Sequence, residues 1–285
     1  MDEEKKLKFD PDNPVYEYIT DMDHANKVLD HLEKHKIIAV DVEGNSLDPY
    51  LIVLFTVQIG TPEASYIFDA RQLDLKNFKR FKKLLENPKK IKILQNAKYD
   101  YKVIKAQLDI QLNNVYDTML VEQILNAGVG RRFYGLKLLA ERYAGIQMTK
   151  EVRDSFTKMT KNSRLNEDML RYGALDTLVL FPIFEGQLVK LKREKMVKIA
   201  KLEFASVLVV GDMELKGVYI DKKRWAGIID RIKIKRDMYA KEFQSSIRDY
   251  YKYKSVDLFG KTADAININS NVQLMDLFNN RLGFD

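Results

Sequence analysis

The stretch Ile37-Ile38-Ala39-Val40-Asp41-Val42-Glu43 decides the fold of this chain, because an apolar, β-branched run ends there in two carboxylates. The run predicts a buried strand, and a strand alternates its faces, so Asp41 and Glu43 point to the same side. Two like charges on one face of a buried strand repel each other, and the loss of water raises the penalty. The motif holds no Lys or Arg, so a hard divalent metal ion is the natural partner. A strand that merely ends in a polar loop is the alternative, since Asp-x-Glu is common by chance.

The length and composition of the chain narrow its class. With 285 residues it is long enough for two domains that each bury a core. It contains no cysteine, which excludes disulfides and thiolate metal sites. The N-terminus lacks the apolar core of a secretory signal, and no apolar run reaches the ~18 residues that a membrane span needs. We therefore expect a soluble intracellular protein with no membrane partner, in the cytoplasm and nucleoid or in a viral replication complex.

The charge of the chain is unevenly placed. Residues 1–186 hold 28 Lys and Arg against 28 Asp and Glu, whereas residues 187–285 hold 20 basic and 13 acidic residues. The C-terminal part therefore supplies the whole net charge of +7. A basic segment beside a neutral one that carries carboxylates suits a polyanion such as nucleic acid. A solvated helix surface with surplus Lys is the alternative.

Apolar periodicity predicts an α/β layer domain in residues 1–186 and an almost wholly helical segment from 187 to about 250. The first helix should begin at a cap, Thr20 or Asp21. Strands are expected at 37–42, 51–60, 65–69 and 91–94, and helices at 20–35, 73–85, 98–107, 117–126, 135–143 and 166–190. Three histidines near one face of the first helix make a zinc site a minor alternative, because no fourth ligand is evident.

Further acidic residues stand at element boundaries. Asp100 follows Asn96-Ala97-Lys98-Tyr99, where a strand passes into a helix, and Asp117 follows Val115-Tyr116. Asp176 comes four residues after Tyr172, so the two share a helix face. Each has an ordinary structural interpretation, since Asp100 and Asp117 could be helix N-caps and Tyr172 a core aromatic residue.

In this order, Asp-x-Glu, Asn-x-x-Tyr-Asp and Tyr-x-x-x-Asp resemble the motifs of the DEDD superfamily of 3′–5′ exonucleases, in the subgroup with tyrosine. The likeness extends to the proofreading domain of family A DNA polymerases, the DNA polymerase I type. It is carried by 41–49, Phe68-Asp69, 96–100, 116–120, 124–126, 135–137 and 139–143. This resemblance implies an RNase H-like (DnaQ-like) mixed sheet flanked by helices.

The resemblance also implies catalytic roles. Asp41 would bridge two ions of Mg²⁺ or Mn²⁺, Glu43 and Asp176 would hold the ion that carries the nucleophile, and Asp100 would support the other. Two metals can activate a water and stabilise the leaving oxygen in phosphodiester hydrolysis. Tyr172 would orient the attacking water, since an ordinary pKa near 10 makes it a poor base. Asp117 corresponds to no principal ligand, so we expect a structural role.

The substrate contacts that the resemblance implies lie around Asp100. Leu47 would wedge against the terminal base, while Asn96 and Tyr99 would contact the last nucleotides. Arg131 or Arg132 would lie near the phosphate backbone. Stacking of unpaired bases on apolar and aromatic side chains is tolerant of sequence. Ordinary packing is an equal alternative for Leu47 and Tyr99.

The second segment, 187–285, resembles a linker helix and the beginning of a polymerase thumb. Residues 213–221 look like the start of the polymerase domain, and 268–274 like the end of the long thumb helices. The three nucleotidyl-transfer motifs of the family are missing, so this chain should not synthesise DNA and would be a fragment or the front part of a polymerase. Its expected partners are a single-stranded DNA 3′ end, primer–template duplex and the rest of a polymerase in cis or trans. An RNA-trimming exonuclease of the RNase D type and a non-catalytic DNA-binding scaffold are the alternatives.

Overall fold

A computed structural model describes residues 7–128, 134–148, 153–250, 255–256, 262–263 and 266–284. The chain divides into two units, which meet in sequence at Gly217 and Val218. The first unit contains all of the residues for which a catalytic role is expected. The expected boundary at 186/187 falls inside this first unit, so the division of the chain by function stays a prediction.

In the described part of the first unit, the strands form one mixed sheet. They are β1 (Tyr16–Ile19), β2 (Ile37–Gly44), β3 (Leu54–Gly60), β4 (Ser65–Asp69), β5 (Ile91–Leu94) and β6 (Val115–Asp117). Their spatial order is β1-β4-β3-β2-β5-β6. Strand β3 runs antiparallel to both of its neighbours, and the other three pairs are parallel. The carboxyl ends of every strand except β3 therefore lie at one edge, which we call the carboxyl edge.

Helices surround this sheet. The described ones are α1 (Met22–Leu32), α2 (Lys79–Glu86), α3 (Ala97–Leu108), α4 (Thr118–Leu125), α5 (Leu136–Ala144), α6 (Arg153–Phe156), α7 (Glu167–Leu178), α8 (Leu180–Arg193) and α9 (Val197–Lys216). Every residue of β3 and β4 is buried, so both faces of the sheet are covered there. This arrangement is the predicted α/β architecture of strands between layers of helices.

Two helix predictions were wrong in part. The helix expected at 73–85 begins only at Lys79, because the Asp74 carboxylate accepts hydrogen bonds from the backbone and side chain of Asn77 and forms a turn instead. The single helix expected at 166–190 is two helices that meet at Val179. Pro182, in the first turn of α8, has no N–H for the helix ladder and so favours a break at this point. The Asp21 cap of α1 is confirmed, since its side chain accepts from the backbone N–H of His24.

Helix α9 belongs to the first unit. Its residue Ala200 is buried, and Phe204 packs its ring 5.0 Å from that of Tyr116 on β6. Near its end, Gly211 lies so close to α3 that an added Cβ would come within 2.6 Å of the Tyr101 ring. The Tyr101 hydroxyl donates to the Asp212 carboxylate over 2.6 Å. Helix α9 is therefore a packed part of the first unit.

The second unit is mostly helical in its described part. It contains α10 (Lys222–Ser246), two short paired strands, β7 (Ser255–Val256) and β8 (Thr262–Ala263), the helix α11 (Asn271–Met275) and a π-helical turn at Asp276–Arg281. A small apolar cluster of Ile247, Ile266 and Leu277 is its core. The expectation of a helical C-terminal segment is confirmed. No helix among the described residues of the chain combines the length and apolar character needed to cross a bilayer.

Candidate active site

Strand β2 delivers the two carboxylates of the opening motif to the carboxyl edge. Asp41 lies opposite Gln58 of β3 in the antiparallel ladder, and Glu43 lies opposite Thr56. Directly opposed residues share a face, so an amide and a hydroxyl line the same face as the two carboxylates. The Gln58 side chain is buried and donates to the Thr56 hydroxyl over 3.0 Å. The register shifts between Glu43 and Gly44, and Gly44 still pairs with Leu54 at the end of the strand.

Helix α7 brings Tyr172 and Asp176 to this face by packing unusually close to the sheet. An added Cβ on Gly173 would lie 2.6 Å from the Gln58 amide nitrogen, and one on Gly60 would lie 2.9 Å from the Thr177 side chain. Both distances are shorter than real Cβ contacts, so two glycines permit the approach. The Thr177 hydroxyl also hydrogen-bonds the Ser65 hydroxyl of β4 at 2.8 Å. This buried contact fixes the helix against the sheet.

The result is a cluster of three carboxylates from two elements. One oxygen each of Asp41, Glu43 and Asp176 lies within 4.8 Å of the other two. Several oxygen ligands at this separation suit a hard divalent cation such as Mg²⁺ or Mn²⁺, and no soft ligand is present. Among the residues that the structure describes, no other group of three His, Asp or Glu side chains is arranged this way, and the three histidines belong to no such group.

Asp100 is buried in the first turn of α3 beside the same strand. A backbone N–H donor from Val42, the residue between the two strand carboxylates, reaches its side chain. Burial first, and then the Asp41 and Asp117 carboxylates, raise the pKa of Asp100 well above its ordinary value. A buried acid next to another acid favours the neutral form unless a cation is present. Asp100 therefore fits the position of a fourth carboxylate at a cation site.

Tyr172 lies one turn before Asp176 and donates a hydrogen bond from its hydroxyl to that carboxylate. Burial, followed by the charges of Asp176, Glu43 and Asp41, raises the pKa of Tyr172 above its ordinary value. The hydroxyl therefore keeps its proton at neutral pH. It can donate and accept hydrogen bonds next to the carboxylates, but it cannot act there as a base.

Asp117 has the structural role that its position suggests. Its buried carboxylate accepts from the backbone N–H groups of Met119 and Leu120 and caps α4. It also accepts from Asn96 and Ala97, at 3.1 and 2.9 Å, and so ties the start of α3 to β6. Asn96 has φ of 62°, a left-handed conformation that asparagine tolerates better than most residues. The turn that presents Asp100 thus depends on Asp117, whereas Asp100 itself caps no helix.

The described substrate residues of the prediction lie in the loop after β2 and at the start of α3, which contact each other. Leu47 is 77% exposed in the loop after β2, and the Tyr99 hydroxyl holds that loop by donating to the Ser46 carbonyl over 3.0 Å. Asn96 is exposed at the start of α3. Arg131 and its alternative Arg132 lie outside the described residues.

Sequence reasoning missed several neighbours of the site. Tyr50 and Leu51 are exposed in the same loop as Leu47, and the Tyr50 hydroxyl donates to the Leu215 carbonyl of α9 over 2.5 Å. The Asn45 amide accepts from the Val53 N–H over 2.8 Å and donates to the Met159 carbonyl over 3.1 Å, which fixes the segment before α7 beside Glu43. The sequence offered one signal, because an asparagine amide can donate to one backbone group and accept from another. It could not show that the acceptor, the Met159 carbonyl, lies 114 residues away.

Comparison with known proteins shows which family and which relatives share the sequence of this unit. Residues 16–192, well over half of the chain, match the family described as 3′–5′ exonuclease. DNA polymerase I of Borreliella burgdorferi is 27% identical over 228 residues, which cover 75% of this chain and 24% of that protein. Ribonuclease D of Haemophilus influenzae is 26% identical over 189 residues, or 65% of this chain and 45% of that protein. The chain thus spans less than half the length of these relatives.

A solved structure agrees in fold. Brucella melitensis NrnC with bound Mg²⁺ superposes with a TM-score of 0.57 and 19% identity, over 71% of this chain and 92% of that one. Together with the family match, it confirms the predicted RNase H-like (DnaQ-like) sheet with flanking helices. In sequence, the chain is similar to a DNA polymerase and to a ribonuclease to nearly the same degree.

Proposed function

The chain belongs to this 3′–5′ exonuclease family, and we propose that it removes nucleotides from the 3′ ends of DNA with two divalent ions, Mg²⁺ or Mn²⁺. The observation that carries the proposal is the group of Asp41, Glu43 and Asp176, with oxygens within 4.8 Å of one another. Like charges held this close on a rigid sheet and helix need a cation to coexist.

The ligand set follows from this geometry and the family resemblance. Asp41, Glu43 and Asp176 would hold the ions together with Asp100, whose raised pKa falls when a cation takes the place of its proton. Bound divalent ions would supply activation of a water and stabilisation of charge on the leaving oxygen. Tyr172 keeps its hydroxyl proton and would orient the water by a hydrogen bond. Leu47, Asn96, Tyr99 and Arg131 would contact the last nucleotides.

We assign the activity to proofreading in a family A polymerase. The alignment with DNA polymerase I covers a larger share of this chain than that with ribonuclease D, at similar identity. Residues 218–285 hold 13 basic and 9 acidic residues, which suits the duplex behind a primer end. Residues 1–186 would form the exonuclease domain and 187–285 a linker helix and the start of a thumb. The rest of the polymerase would act in cis or trans, where DNA is replicated inside the cell.

RNA trimming of the RNase D type is the second candidate. It is supported by the 26% identity to ribonuclease D over 65% of this chain. The catalytic residues expected for the two reactions are the same, so the substrate must be decided outside the carboxylate cluster.

Degradation of matched DNA and RNA oligonucleotides labelled at the 5′ end separates the candidates. We expect stepwise shortening of single-stranded DNA from its 3′ end, loss of activity in EDTA and recovery with Mg²⁺ or Mn²⁺. Faster shortening of the RNA would favour the RNase D type. No shortening of either strand in Mg²⁺ or Mn²⁺ would reject the exonuclease proposal and leave a DNA-binding scaffold.

A further inference from the structure

We propose that a basic loop, residues 157–166, forms a phosphate-binding site on the side of the carboxylates opposite to α3. The loop contains Lys158, Lys161 and Arg164 and no acidic residue. Residues 1–186 are neutral overall, so this is a local surplus of positive charge. The inference rests on the proposed function, because it names where that reaction's phosphate-bearing substrate or product is held.

The basic loop is fixed along the carboxyl edge. At its near end the Asn45 amide donates to the Met159 carbonyl over 3.1 Å. Asn45 is two residues after Glu43 in the sequence. At its far end the Arg71 guanidinium donates to the Ser163 carbonyl over 2.5 Å. Arg71 is two residues beyond Asp69, the last residue of β4. The Ser163 hydroxyl accepts from the Thr160 N–H over 2.9 Å. With its backbone held in this way, the loop needs little ordering before it binds.

A cavity of about 460 Å³ opens beneath the loop, lined by Lys161, Asn162 and Arg164 together with Tyr18 and Gln72. It lies at the ends of β1 and β4, so β3 separates it from the carboxylates of β2. Neighbouring strands are about 4.8 Å apart, which places β4 roughly 10 Å from β2. Asn96 and Tyr99 lie on the β5 side, so the cavity is separate from the substrate positions predicted from the sequence.

The charge of the cavity comes from its exposed side chains. Arg71 at its base is neutralised by Asp69, which it contacts through two nitrogens at 3.0 and 2.6 Å. Burial would raise the pKa of Asp69, but hydrogen bonds from Arg71 and Tyr18 hold it below its ordinary value. Lys161 and Arg164 are exposed and form no ion pair with any other residue that the structure describes. Two cations beside amide donors complement an anion.

Phosphate is the anion that the proposed reaction supplies. It is present in the strand that leads to the 3′ end and in the nucleotide that is released. An arginine and a lysine at a fixed loop can hold either one, since guanidinium and ammonium groups both bind phosphate oxygens. The length of the substrate and inhibition by the product distinguish these two sources.

The test compares the full chain with the double variant Lys161→Glu, Arg164→Glu. Its control is Lys34→Glu, Lys36→Glu, an equal change of charge on exposed side chains at the opposite edge of the sheet. For a single strand of about a dozen nucleotides we expect KM to rise about tenfold with kcat nearly unchanged, and the dependence of log KM on log salt to weaken by about 1.4. Lys161→Arg with Arg164→Lys should behave as the wild type.

A dinucleotide substrate and inhibition by dAMP complete the experiment. If the strand supplies the phosphate, the double variant should cleave the dinucleotide like the wild type and keep its inhibition by dAMP. If the product supplies it, inhibition by dAMP should weaken about tenfold while KM for the long strand stays unchanged. Equal values for the double variant and its control in every arm would overturn the proposal. Fluorescence anisotropy of the labelled strand in EDTA tests the loop even if the wild type shows no cleavage.

Discussion

Helices α7 and α10 mix apolar and charged residues around their circumference, yet their environments differ completely. Six of the 12 residues of α7 are buried, whereas none of the 25 residues of α10 is. Helix α7 owes its burial to small side chains, Gly173, Ala174 and Thr177, which let it approach the sheet. Helix α10 instead exposes Trp225 and Ile232 among its basic residues. The comparison teaches that side-chain size at the contact, more than amphipathicity, decides which helix positions chemistry.

The largest effect should follow a change to the site that α7 and β2 share. Asp41→Ala removes one carboxylate of the cluster, so we expect the exonuclease rate to fall roughly 10³-fold or more with the fold intact. Thermal unfolding with and without Mg²⁺ checks the cause, because a bound ion stabilises only the folded state. The wild type should gain Tm in Mg²⁺ and the variant should gain much less. A variant that retained a tenth of the wild-type rate would contradict the metal assignment.

Tyr172→Phe tests the other residue that α7 contributes. Loss of one positioning hydrogen bond should lower the rate roughly 10- to 10³-fold under single-turnover conditions. Calorimetric titration with Mn²⁺ is the companion measurement, and the affinity should barely change because the carboxylates remain. Lost metal binding would show that the hydroxyl supports a ligand rather than a water.

A pair of Gly→Ala variants tests the comparison of the two helices directly. At Gly173 the new methyl group would meet the buried Gln58 amide at 2.6 Å, so we expect a loss of about 1–3 kcal/mol of stability and slower cleavage. At Gly227 in α10 nothing lies within 4 Å, and alanine should stabilise that helix by about 0.5–1 kcal/mol. Differential scanning calorimetry measures both. Equal effects at the two positions would mean that close packing of α7 is unimportant.

Truncation tests what the exposed helix α10 contributes. A chain ending at residue 217 keeps α9 and should degrade short single strands like the full chain. It should bind a primer–template more weakly, with a shallower dependence of log Kd on log salt, because it lacks the 13 basic residues of 218–285. Anisotropy at several salt concentrations gives the slopes. Equal slopes would mean that the C-terminal basic residues form a solvated surface that binds no polyanion.

The sequence alone would place the truncation near residue 190, but a chain that ends there is not a suitable comparison with the full chain. It lacks α9, whose Phe204 and Gly211 pack on the sheet and on α3. The 190-residue chain should therefore unfold at a lower temperature than the 217-residue chain. Similar Tm values would show that α9 contributes little to the first unit.

The smallest expected effect is on the pH dependence of stability. It concerns a buried lysine, in contrast to the exposed lysines of α10. Burial first, and then Lys90, lower the pKa of Lys92 to about 8. Between about pH 8 and pH 10 the unfolded chain keeps the proton that the folded state has released, so stability rises with pH in this window. We expect Tm to rise by roughly a few degrees from pH 8 to 10, and less in Lys92→Met. Lys233→Met on α10 should keep the wild-type slope.

The sequence predicted the parts of this molecule that are local. The apolar run ending at Asp41 and Glu43, the i, i+4 pair of Tyr172 and Asp176, and the Asp21 cap each depend on a few adjacent residues. Strands β1 and β6 were missed because their sequences, Tyr-Glu-Tyr-Ile and Val-Tyr-Asp, lack the aliphatic run that marked β5, which is equally short. They are the two outermost strands of the sheet. Pairing across the sheet gives them their stability instead.

Long-range contacts explain the remaining differences. Lys98, Lys102 and Lys105 form a stripe on α3 that looks like a solvated face, but Glu214 and Asp212 of α9 pair with it. The close packing of Gly173 on the sheet could not be predicted either, since it depends on Gln58 in another element. Such contacts are properties of the fold, which no window of neighbouring residues contains.

The packing of α9 on α3 has a consequence for synthesis on the ribosome. Asp176, the last carboxylate of the cluster, is translated well before Gly211 and Asp212, the residues that contact Tyr101. At roughly 5–20 residues per second, the nascent chain waits several seconds with its catalytic residues complete but one wall of the unit missing. During that interval the faces that α9 later covers on β6 and α3 are open to chaperones and proteases, so translational pausing shortly after residue 176 should lower the yield of active protein.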